Sequence, residues 1–173
     1  GKKDTYFHLS DVFDTGNAMV KREVFEKVGL FDRQFEKQRM GDSEFGIRSL
    51  LGGFLIVANP FAKRIHLKVE TGGLRQMGSW DAIRPKNLFA PRPISSVLYL
   101  IRKYHSNHEA ILYLFKNIPQ SYIPYKFKGN QKAKLLVFLA LPIWTPLALV
   151  SVTKSWNLAT LKLTQGSLIE ALD

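Results

Sequence analysis

The stretch GDSEFGIR, residues 41 to 48, sets two carboxylates, Asp42 and Glu44, at the head of an apolar run, with Arg48 four residues after the second. Carboxylates in that position have two uses. An aspartate ahead of a helix accepts hydrogen bonds from free backbone N–H groups, and a glutamate in the first turn suits the helix dipole. An ionised carboxylate on a rigid helix end can equally take a proton from a nucleophile brought within hydrogen-bond reach. Further along, His66 shares one face of RIHLKV with Arg64 and Lys68, opposite Ile65, Leu67 and Val69, a setting that suits an anionic ligand. Trp80 ends GGLRQMGSW and offers either a flat stacking platform or a ring packed under a Gly-rich loop. There is no cysteine in 173 residues, which excludes thiol nucleophiles, thiolate metal sites and disulfides.

The elements that must hold these groups alternate in the first half of the chain. NAMVKREVFEKVGLFD places Val20, Val24, Phe25 and Val28 at helical spacing, with Gly29 to end the helix. A second helix is expected from Asp42 to Leu51, carrying Phe45, Ile47, Leu50 and Leu51 and stopped by Gly52 and Gly53. FLIVANP reads as a buried strand closed by a proline turn, and RIHLKV as an alternating strand. The class is α/β. From Pro91 the character changes to amphipathic helices, one through Ile94, Val97, Leu98 and Ile101, a second through Ile111, Leu112 and Phe115 that Pro119 and Pro124 end. The chain is thus organised as residues 1–90, an α/β part; residues 91–134, amphipathic helices and a basic linker; and residues 135–173, an apolar segment and a short tail helix running from Lys154.

The formal net charge of +11 is unevenly spread: residues 1–90 carry 15 Lys and Arg against 11 Asp and Glu, residues 91–173 carry 10 against 3. The second half is therefore built to meet an anionic surface. Lys126, Lys128, Lys132 and Lys134 precede LLVFLALPIWTPLALVSVT, residues 135–153, which are 19 residues without a charge. That length just crosses a hydrocarbon core of roughly 30 Å. The segment reads as a span, a re-entrant piece or an interfacial piece with its basic flank on the cytoplasmic side, or else as a buried helix pair broken at Pro142 and Pro146. Nucleic acid is favoured by charge alone, and no nucleic-acid motif accompanies it.

Residues 15–66 resemble the C-terminal half of the catalytic domain in family 2 glycosyltransferases of the GT-A fold. The matching pieces stand in the family's order: TGNAMV leading into a helix, then VGLFDRQF, then the acidic motif GDSEFGIR, then glycine, an apolar strand, proline and His66. The resemblance covers the first 70 to 80 residues. It implies a partial GT-A domain, a mixed sheet flanked by helices, followed by a C-terminal helical extension. It implies that Asp42 is the general base, that Glu44 orients the acceptor or Arg48, that Gly16 and Asn17 line the sugar site, and that His66 stands near the diphosphate and its Mn or Mg ion. Two departures are plain. Gly41 occupies the place of the family's usual glutamate, and Ser79 stands where processive relatives have arginine between the positions matched by Gln76 and Trp80. Trp80 is accordingly a candidate for stacking on the acceptor, with no processivity implied.

The family's Asp-x-Asp metal motif is missing, since Asp11 and Asp14 have the wrong spacing. The expectation is a C-terminal portion of a longer enzyme that binds donor poorly by itself. The function implied is inverting, metal-dependent transfer of a sugar from a nucleotide sugar to a hydroxyl of a cell-surface polysaccharide or lipid-linked glycan, at the cytoplasmic face of the membrane. The alternative is a non-catalytic, membrane-associated docking module that lacks the donor half.

Overall fold

The structure, a computed structural model, describes residues 5–63, 87, 89–122 and 129–172. The chain divides into two units, Gly1–Gln76 with Ser167–Asp173, and Met77–Gly166.

In the first unit, β1 (His8–Leu9) pairs antiparallel with β2 (Val57–Ala58), His8 opposite Ala58 and Leu9 opposite Val57. This pair is what the described residues contain of the expected mixed sheet; the RIHLKV strand lies outside them. FLIVANP contributes only Val57 and Ala58 to a strand. TGNAMV opens as a 3-10 turn, Thr15–Asn17, because the Asp14 carboxylate accepts the Gly16 N–H at 3.0 Å and curls the backbone there.

Helix α1 (Arg22–Val28) buries Val24 and stops where its sequence says it should. Gly29 adopts φ +79° and donates its N–H to the Phe25 carbonyl at 2.8 Å. Helix α2 (Gly41–Leu51) starts one residue earlier than expected. Met40, at φ +79°, is its N-cap and supplies no side-chain bond, so Asp42 lies inside the first turn and not ahead of it. The core of this unit gathers on Phe45 of α2, whose ring lies 4.6 Å from Phe31, 5.1 Å from Phe13 and 5.2 Å from Phe25, centre to centre. Gly46 brings α2 against the Phe13 segment: a Cβ added there would sit 2.7 Å from the Phe13 Cβ.

The C-terminal residues complete this unit as a non-helical segment bonded to the chain after α1. Leu30 donates its N–H to the Glu170 carbonyl at 2.8 Å and Arg33 to the Leu168 carbonyl at 3.0 Å. Asp32, buried, accepts the N–H groups of Gln34 and Leu168, both at 3.0 Å. The tail helix expected from Lys154 is thus half right. Residues through Gln165 are helical, Gly166 turns the chain at φ +79°, and residues 167–172 form no regular element and are held by these partners.

The second unit is helical where described: α3 (Ser95–Tyr104), α4 (Asn107–Ser121), α5 (Gln131–Leu139) and α6 (Leu141–Gln165). Helix α3 buries Val97, Leu98, Tyr99 and Leu100 and packs on α6. Arg102 ties the two together, donating to Thr160 Oγ1 at 2.7 Å and lying 4.2 Å over the Trp156 ring. Pro119 lies within α4, which runs on to Ser121 and is not ended by it. The uncharged run 135–153 is split between α5 and α6 at Ala140, with Pro142 in the first turn of α6. Among the described residues, no helix is long and apolar enough to cross a membrane.

Candidate functional site

The two carboxylates of GDSEFGIR lie about 200° apart around α2, because each residue advances the helix by about 100°. They meet different surroundings. Glu44 is fully buried, and its two oxygens accept from Arg48 Nε and Nη2, both at 3.0 Å. The remaining donors of Arg48 turn to the end of α1, with Nη1 on the carbonyls of Val28 and Gly29 and Nη2 on that of Leu30 at 2.8 Å. A cation at these carbonyls satisfies acceptors that the helix end leaves free and complements its dipole. Of the two roles expected for Glu44, the geometry supports the orientation of Arg48. Arg48 in turn holds α1 to α2, a role its sequence spacing from Glu44 hinted at only as an ion pair.

Asp42 is partly buried, and its Oδ1 accepts the Ser43 N–H at 2.8 Å. By helical spacing it falls on the stripe of Phe45 and Ser49. Those two residues line a cavity of about 1030 Å³ that also takes in Gly16, Asn17, Lys21 and Asn59. Asp42 itself does not line it. Asn17 is fixed at the cavity wall by donating Nδ2 to the Ala62 carbonyl at 2.9 Å. The structure therefore brings Gly16 and Asn17 together, and it sets Asp42 one turn beyond the nearest wall residue of α2. Lys21 and Asn59 are polar cavity residues that sequence reasoning missed, since neither belongs to a motif.

His66 and Trp80 lie outside the described residues. Among the described residues, no three His, Asp or Glu side chains gather so as to hold a cation. The Mn or Mg ion implied by the resemblance has no donor set among them. Comparison of the chain with protein-family models, with characterised proteins and with solved structures finds no match in any of the three.

Proposed function

We propose that this chain is the acceptor-side part of an inverting glycosyltransferase of the GT-A type, with Asp42 as its general base. The observation that carries the reading is the division of labour on α2. The buried Glu44–Arg48 pair locks the helix to α1, which leaves Asp42 as a partly exposed carboxylate in a rigid first turn. In the reaction, the acceptor oxygen forms its bond to the anomeric carbon of a nucleotide sugar as the bond from that carbon to the diphosphate breaks. The acceptor's proton passes to the Asp42 carboxylate, and the nucleoside diphosphate departs from the opposite face. The cavity beside Gly16 and Asn17 is the candidate sugar site, its polar lining being suited to hydroxyls. The acceptor class proposed is a cell-surface polysaccharide or a lipid-linked glycan.

A donor screen tests this. Full-length protein in nanodiscs is given UDP-, GDP- and dTDP-sugars with Mn or Mg, and release of nucleoside diphosphate is followed for it and for Asp42→Asn. Release from one donor that is lost in the variant supports the reading. No release from any donor by folded protein favours a non-catalytic docking module instead.

A further inference from the structure

Helix α6 is inside out for a helix in water. Among its described side chains the fully buried ones are Ser151, Ser155 and Ala159, four apart, while Ile143, Leu149 and Val150 face outward near its start and Leu158 and Leu161 share the outer side with Lys154 and Asn157. Burial of apolar surface is what drives folding in water, so an aqueous helix turns its leucines inward and its serines out. The reverse arrangement, with small residues between helices and leucines outside, leaves apolar side chains free to meet an apolar phase such as the acyl region of a membrane surface. Helix α4 buries Ala110 and Ile118 and also turns Ile111, Leu112 and Phe115 outward, Phe115 being 77% exposed. Between these helices, α5 touches both and exposes Leu136 and Leu139, each at 66%.

We propose that the second unit docks in the plane of an anionic lipid bilayer through the outward apolar residues of α4, α5 and α6, without crossing it. Charge selects the occupant. Residues 77–166 hold 12 Lys and Arg against two acids, Asp81 and Glu109, so nearly the whole net charge of the chain belongs to this unit. A second copy would bring the same positive charge against it and be repelled. A nucleic acid would answer the lysines and leave the leucines in water. An anionic membrane answers both, headgroups meeting the basic side chains and acyl chains the leucines. The uncharged run 135–153 is broken at Ala140, and among the described residues no helix is both long and apolar enough to cross, which favours helices lying at the interface. This inference stands apart from the transfer reaction and is tested without it.

The test is flotation of the full-length protein with vesicles of phosphatidylcholine alone and of phosphatidylcholine with phosphatidylglycerol, for the parent and for Leu136→Glu/Leu139→Glu. Both leucines are exposed, so the variant keeps its fold, which circular dichroism checks. The expected result is binding to the anionic vesicles that weakens with salt, is at least about tenfold weaker in the variant, and is reversed by alkaline carbonate. Equal binding by parent and variant, or no binding of folded parent protein, would overturn the proposal. So would a parent oligomer that the variant turns into a monomer, and retention after carbonate would overturn the in-plane mode.

Discussion

Glu44 and Arg48 close a two-bond ion pair across one turn of α2, at 3.0 Å for both bonds, with the carboxylate wholly out of water. The pair has a structural task, because the guanidinium reaches past it to the carbonyls that end α1. Breaking a buried pair from one side leaves a charge stranded. Arg48→Met is therefore expected to cost about 3–5 kcal/mol in urea unfolding. Glu44→Gln keeps the shape and an acceptor and should cost less. A loss under about 1 kcal/mol for Arg48→Met would show that the pair does not hold the helices together.

Asp42→Asn should behave in the opposite way. Its carboxylate is partly exposed and makes a local bond to Ser43, so removing its charge forfeits little beyond a favourable position in the helix dipole, about 0.3–1 kcal/mol. Transfer is expected to vanish while stability hardly moves. Turnover retained by the variant would remove Asp42 from the role of base.

Phe45 is the hub of three ring contacts and is 1% exposed. Phe45→Ala should cost about 3–5 kcal/mol, the sum of lost transfer energy and the cavity left behind. Thermal unfolding measures it, and a loss near zero would mean that the first unit keeps its order by other contacts.

Asp32→Ala removes the acceptor for Gln34 and Leu168 from a buried position. A loss of about 1–3 kcal/mol is expected, with rapid amide exchange at Leu30, Arg33 and Leu168 as the tail comes away. Gly29→Ala should give a similar exchange pattern. Its backbone is at φ +79°, and the new Cβ would stand 2.5 Å from Ile169 Cγ2. Unchanged protection at those amides in both variants would show that the tail is held by something else.

Burial raises the phenols of Tyr113 and Tyr122 above the ordinary value of about 10, with Arg92 partly opposing the shift at Tyr122. The folded chain then keeps protons that the unfolded chain gives up. Stability is whole below about pH 10 and is lost as pH rises through the folded values. Near-ultraviolet absorbance titration should show these two phenols ionising late, with unfolding following. Ionisation at the free-tyrosine value would refute their burial.

What the sequence determined by itself is what short-range physics controls. Gly29 ends α1 because a glycine accepts positive φ at little cost, and Glu44 and Arg48 meet because four residues make one helical turn. Gly16 and Asn17 are expected at a sugar site only through the resemblance, whereas the charge imbalance is legible from counting. The tertiary structure decided the rest. It buried Glu44 and left Asp42 partly exposed, although only Ser43 separates them in the motif, because only the position of α1 says which face of α2 is covered. It fixed the tail beside Asp32 from 136 residues away, which no local propensity could announce. It turned the leucines of α6 outward and its serines inward, a choice that depends on what surrounds the helix and not on its own periodicity.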